Sequence, residues 1–185
     1  MYLFLVPLLA GFAFNSTSAF TTFYSRHLGG RAGRLVCVLL RDVLGIPLWA
    51  LGYFLAARVS ASYLFAARLI SSILACLLIL AGAMIICTGL WSLRGRAALP
   101  SVQDTLVTDG LYAHIRHPLY TGMSLELGGL FLLLPTLPVL IACLLGVLWI
   151  FFQARLEERD LVQRLPAYTD YMQRVPRFLP RLWHG

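Results

Sequence analysis

The chain has 185 residues, 59% of them hydrophobic and only 12% charged, and its mean hydropathy is +0.79. So little charge excludes an ordinary water-soluble domain and makes lipid the solvent for most of the surface. The net charge of +7 comes from 15 basic residues, all of them Arg, which fall between apolar runs and form no patch, so nucleic-acid binding is excluded as well.

A bilayer core takes about 20 apolar residues as helix, or somewhat fewer when flanking groups reach outward. Five runs meet that need, at residues 3–24, 35–57, 69–93, 119–134 and 137–152. The expected fold is therefore all-α, an integral membrane bundle of about five transmembrane helices followed by a cytoplasmic C-terminal helix and strap. The first run contains Ser16-Thr17-Ser18-Ala19, which resembles a small-residue cleavage site, but residues 1–25 carry no charge and hence no basic leader region, so a retained helix is expected. The second run carries Arg41 and Asp42. The fourth and fifth form a tight pair around Pro135-Thr136-Leu137-Pro138.

Twelve of the arginines follow helices one, three and five, against Arg58 and Arg68 on the other side, with Arg41 inside helix two. This asymmetry predicts an N-terminus outside and a C-terminus in the cytoplasm. Cys37, Cys76, Cys87 and Cys143 each sit singly in an apolar run, without the paired spacing of a metal site, and read as packing residues; no metal is expected. The chain reads as one membrane domain, 1–185, with a three-helix part at 1–93 and a part at 94–185 whose two longer polar segments must carry any chemistry.

The first such segment runs from Leu106 through Asp109, Gly110, Tyr112, Arg116, His117, Pro118 and Tyr120 to Gly122. Asp109-Gly110 is a turn signal, and Pro118 suits the first turn of helix four, where its missing N–H costs nothing. His117 then stands at or next to the N-cap, and free backbone donors are expected around it. Two readings fit: an Arg, His and Tyr belt anchoring the helix at the interface, or a binding site.

The second segment begins where helix five leaves the membrane, with Gln153, Arg155, Glu157, Glu158, Arg159 and Asp160. Glu157 shares the helix face of Leu161 and Leu165, whereas Glu158 is rotated by about 100°, so Glu157 is expected to face inward and Glu158 to join a solvated face with Arg159 and Asp160. Further on, Tyr168, Tyr171 and Arg174-Val175-Pro176, with Pro180, suggest an extended strap.

This ordered set, from Leu106-Val107 and Gly110 through Tyr112, Arg116-His117-Pro118, Tyr120 and Gly122 to Glu157-Glu158, Leu161, Tyr168, Tyr171 and Arg174-Val175-Pro176, resembles the isoprenylcysteine carboxyl methyltransferase family over about 75 residues. The resemblance implies an S-adenosylmethionine-dependent membrane methyltransferase without a Rossmann domain, acting on a lipophilic acceptor. It places Gly110, Tyr112, His117, Pro118 and Tyr120 around the cofactor, Glu157 and Glu158 on its ribose hydroxyls or amino group, and Arg116 near the reacting end. The chain departs from the family pattern at Gln153, where members commonly carry an Arg, and in a short loop from 94 to 105, so the acceptor is left open between carboxylate, amine and thiol.

Glu126 lies eight residues past Pro118, about 12 Å along the helix. It is expected either to reach an acceptor tunnel or to pair with Arg41. Gly122, Ser124, Gly128 and Gly129 read as close helix packing. The rival functions are an NADPH-dependent sterol-type reductase, which shares the Arg-His-Pro and Arg-Val-Pro signatures, and a non-enzymatic membrane assembly or transport protein.

Overall fold

The structure is a computed structural model and describes residues 2–66, 68–93 and 105–180. Among these the chain is helical: α1 is Leu5–Ser18, α2 Thr21–Leu28, α3 Gly30–Arg58, α4 Leu69–Leu93, α5 Pro118–Leu133, α6 Leu137–Arg164 and α7 Tyr168–Arg174. Three of them, α3, α4 and α6, are long and apolar enough to cross a bilayer by length and composition. With 14 and 16 residues, α1 and α5 reach only about 21 and 24 Å against a core of about 30 Å, so among the described residues three of the five expected spans meet the length of a full crossing.

The expected first run, 3–24, is not one helix. Thr17 Oγ1 donates to the Phe14 carbonyl at 2.8 Å and Ser18 Oγ to the Asn15 carbonyl at 2.6 Å, local bonds that compete with the helical ladder and close α1 at Ser18. The second run, by contrast, starts earlier than expected, at Gly30. Within α3, residues Leu39–Gly45 adopt π geometry just before Pro47, which offers no N–H to the preceding turn and whose ring crowds it; the wider turn absorbs both.

Contact between α4 and α5 is made at glycines. A Cβ on Gly82 of α4 would lie 2.6 Å from the Gly122 carbonyl, and one on Gly122 of α5 the same distance from the Gly82 carbonyl. Gly129 packs equally tightly on Ile79 and Ala75, whereas a Cβ on Gly128 would meet only Leu78 at an ordinary contact distance of 3.8 Å, and Ser124 donates its hydroxyl to the Tyr120 carbonyl. Phe4, Leu8, Phe12, Ala56, Ala142, Trp149 and Ile150 form a core joining α1, α3 and α6, with Phe12 stacked on Trp149 at 4.7 Å. Cys37 and Cys143 are buried, while Cys76 and Cys87 face outward from α4.

At one end the loop after α3 meets the α5–α6 turn, where Leu64 N–H donates to the Pro135 carbonyl at 2.7 Å. The 28 residues of α6 span about 42 Å, so its C-terminal third stands beyond an apolar core of about 30 Å at the opposite end, beside residues 105–117 and the strap after α7.

Candidate functional site

Gly110 takes φ 58°, a conformation that favours glycine, and a Cβ there would lie 2.7 Å from Ser92 Oγ. The turn therefore closes against the end of α4 and starts the short 3-10 helix Gly110–Ala113. Tyr112 is buried, and its carbonyl accepts from the Tyr171 hydroxyl at 2.6 Å, which ties this turn to α7. His117 is the N-cap residue of α5 and Pro118 its first residue, as the sequence leads one to expect. The backbone donors expected to be free are in use: Arg116 N–H donates to the Pro176 carbonyl at 2.9 Å and His117 N–H to the Arg177 carbonyl at 3.0 Å. One turn on, Thr121 Oγ1 donates to the Phe178 carbonyl at 2.9 Å, so the strap is laid along the mouth of α5.

Behind these rungs lies a charged cluster centred on Glu158. Arg116 Nε donates to its Oε1 at 3.0 Å, Arg177 Nε to the same oxygen at 3.0 Å and Arg177 Nη2 to Oε2 at 2.5 Å, with His117 Nε2 at 3.2 Å. The remaining Arg116 donors are not idle, since Nη1 donates to the carbonyls of Met172 and Val175. The Glu158 side chain is only 4% exposed. This corrects the solvated face expected for Glu158 and Asp160: both are buried, because the inward face of α6 continues from Ile150 and Ala154 above, not from Leu161 and Leu165 below. Asp160 accepts from Thr22 N–H at 2.8 Å and from Arg164 Nε at 3.0 Å, fastening α2 to α6.

Glu157 is differently placed. Its side chain is 33% exposed, its Oε1 accepts from the Tyr120 hydroxyl and from Gln153 Nε2 at 3.2 Å, and its Oε2 faces His117 Nδ1 at 3.8 Å. Gln153 Nε2 also reaches the Asn15 carbonyl at 3.4 Å, which couples this carboxylate to α1.

A cavity of about 560 Å³ opens against Glu157, Tyr120, His117, Tyr112 and Arg116 and continues inward between α1, α3 and α6. Burial pushes the Tyr171 phenol up to about 12, and Tyr112 and Tyr168 upward as well, so these rings enter as neutral hydrogen-bonding and stacking groups. The structure thus brings Gly110, Tyr112, Arg116, His117, Pro118, Tyr120, Glu157 and Glu158 to one end of the bundle. Glu126 is elsewhere, on a second cavity of about 460 Å³ shared with Trp49, Met123 and Trp149. Arg41, its expected partner in one reading, forks onto its neighbour Asp42 at 2.8 and 3.0 Å and lines the first cavity. Arg94, Arg96 and Arg181, and nearly all of the loop from 94 to 105, lie outside the described residues.

Sequence reasoning assigned no role to Arg177, Gln153 or Asn15. For Arg177 the signal was its place directly after Val175-Pro176; for Gln153, its spacing of four residues before Glu157 on a helix.

Residues 69–163, about half of the chain, match the model of the isoprenylcysteine carboxyl methyltransferase family. A segment of 80 residues is 36% identical to the cobalt-zinc-cadmium resistance protein CzcN of Cupriavidus metallidurans, covering 43% of this chain and 37% of that protein. Another, of 79 residues, is 42% identical to the protein-S-isoprenylcysteine O-methyltransferase of Schizosaccharomyces pombe, covering 40% of this chain and 33% of that protein. The chain therefore spans about a third of the length of the curated relatives it matches. No solved structure matches significantly.

Proposed function

The chain belongs to the isoprenylcysteine carboxyl methyltransferase family, and from that premise we propose that it is a membrane-embedded, S-adenosylmethionine-dependent methyltransferase acting on a lipophilic acceptor. The observation that carries the reading is the cavity at the polar end of α5 and α6, in which a partly exposed carboxylate, Glu157, stands among Tyr112, His117 and Tyr120. Its volume of about 560 Å³ lies within the range of roughly 300–1,000 Å³ usual for small-molecule sites. The donor set suits the cofactor too: Glu157 can accept from paired ribose hydroxyls, and its charge and the tyrosine faces favour a cationic sulfonium.

When bound, S-adenosylmethionine supplies a methyl group on a positively charged sulfur, open to in-line displacement by a nucleophilic acceptor atom. The work left to the protein is alignment and exclusion of water. Tyr120 and Gln153 fix the Glu157 carboxylate. Glu158 acts one layer behind, as a positioning residue that holds Arg116, Arg177 and His117, and Arg116 positions the strap over the cavity mouth. An anionic acceptor needs no general base, and its charge cancels that of the sulfonium in the transition state, which a dry site favours. Glu126 and the second cavity receive the apolar part of the acceptor. The polar end faces the cytoplasm, the side on which the arginine-rich loops are expected to lie.

The test is equilibrium binding in detergent. S-adenosylhomocysteine at saturation is expected to raise the melting temperature of the wild-type chain by mass action, with NADPH without effect. A rise with NADPH and none with S-adenosylhomocysteine would replace the methyltransferase by the reductase. Glu157→Gln is expected to weaken S-adenosylhomocysteine binding about tenfold, close to 1.4 kcal/mol, without lowering the melting temperature of the free protein.

A further inference from the structure

The second cavity, of about 460 Å³, sets one carboxylate among aromatic rings. Phe12, Trp49, Tyr53 and Trp149 line it together with Glu126, and no Arg or His is among its described lining residues. The rings do not form one parallel stack. Tyr53 stands at 82° to Trp49 with centroids 6.1 Å apart, and at 65° to Phe12 at 6.5 Å, so faces and edges of different rings meet around the space. Two glycines make room for the polar side chains of this cavity. A Cβ on Gly82 of α4 would lie 2.8 Å from Glu126 Cγ, and one on Gly146 of α6 would fall on the Tyr53 hydroxyl.

Glu126 is badly placed for a purely stabilising role. Gly82, against which its side chain packs, stands near the middle of α4, a helix of 25 residues that is long and apolar enough to cross a bilayer. Charged side chains at such a depth are rare and usually face a cavity or a pathway. Among the described residues no hydrogen bond or ion pair reaches the Glu126 carboxylate, whereas those of Glu157, Glu158 and Asp160 are all held. An unpaired carboxylate in a low dielectric draws a cation far more strongly than in water, and aromatic faces add to that attraction. Rings around an anionic group are the arrangement that recognises alkylammonium ions.

We infer that the second cavity binds the ammonium group of a lipophilic amine, with Glu126 as its counter-ion and Phe12, Trp49 and Tyr53 as its aromatic walls. In one respect, that the ligand is the acceptor, this rests on the methyltransferase reading, and it adds a cationic group to the part of the acceptor that this cavity receives. The nitrogen is a handle and not the methylated atom. An ammonium has no lone pair to attack a sulfonium, and Glu126 lies six residues beyond Tyr120, about 9 Å along α5 from the cofactor end. Trp49, Met123 and Trp149 border both cavities, so a chain held at Glu126 can run past them toward the first.

A counter-ion waiting for its ligand and a carboxylate that holds the fold behave oppositely when neutralised, and the test uses that difference. The full chain in a neutral detergent is titrated with dodecyltrimethylammonium and with dodecanol, followed by tryptophan fluorescence and by melting temperature. Wild type is expected to bind the ammonium probe saturably, at least about tenfold more tightly than the alcohol, and to melt higher in its presence. Glu126→Gln, which keeps the shape and removes the charge, is expected to lower that preference to about twofold or less, while the variant without ligand melts no lower than wild type because no partner is lost. Equal binding of the two probes to wild type, or a preference that survives in the variant, would overturn the inference. A Glu126→Gln chain that melts lower or fails to fold would overturn it too, since Glu126 would then be a structural group. S-adenosylhomocysteine is titrated in parallel: no response to it in wild type removes the methyltransferase reading and leaves the ammonium site standing, whereas a response to it without one to the ammonium probe removes this inference alone.

Discussion

Where α4 meets α5, the closest approach is at glycines: Gly82 and Gly122 place each other's carbonyls 2.6 Å from where a Cβ would stand, with Ile86 and Glu126 side chains beside them. At the polar end of α5 and α6 the contact is almost wholly polar, with one buried carboxylate holding two arginines and a histidine, and two backbone rungs laying the strap in place. The first interface is sensitive above all to added volume, the second above all to lost charge and fork geometry. Lipid explains the division, since small residues gain contact where apolar burial gives no advantage over the solvent, whereas beyond the bilayer a network can be assembled and satisfied.

The largest break in this contrast is expected from Glu158→Ala. Removing the Glu158 carboxylate leaves Arg116 and Arg177 facing each other without their shared anion, at a cost of about 3–5 kcal/mol. Thermal melting in detergent should fall accordingly, and limited proteolysis should cut the strap between Val175 and Leu179 in the variant and spare it in wild type. An intact strap in the variant would mean that the backbone rungs alone hold it.

Gly122→Val tests the other interface. Two methyl groups and a Cβ must enter a space 2.6 Å from the Gly82 carbonyl, and overpacking of this kind costs about 1–3 kcal/mol. The melt should drop while the strap stays resistant to protease. Cleavage of the strap at the same rate as in Glu158→Ala would show that the two regions are one cooperative unit.

Arg116→Lys sharpens the comparison with the smallest effect, about 1 kcal/mol, because the charge survives while the fork does not. Lys can face Glu158 or the carbonyls of Met172 and Val175, not both sets at once. The expected outcome is a small loss of melting temperature with partial opening of the strap; full protection would mean that the carbonyl contacts contribute nothing.

The runs at 69–93 and 137–152 were legible in the sequence because nothing interrupts them, and the ordered motif from Gly110 to Glu158 was enough to name the family. The break after Ser18 was not legible, since whether a hydroxyl bonds back to its own helix is decided residue by residue. The roles of Glu157 and Glu158 could not be read either. Their faces differ by one residue, and the cations that draw Glu158 inward stand 42 and 19 residues away in the chain. Glu126 was the partner expected for Arg41 in one reading, and its chain neighbour Asp42 holds the fork, at 2.8 and 3.0 Å.

The two backbone rungs from Arg116 and His117 to Pro176 and Arg177 close a loop of about sixty residues that contains the whole α5–α6 hairpin. Contacts so distant in sequence form slowly and only after what lies between has been ordered. During synthesis the cavity therefore has no roof until residue 177 has been made, so the strap closes over it only once both helices of the hairpin exist.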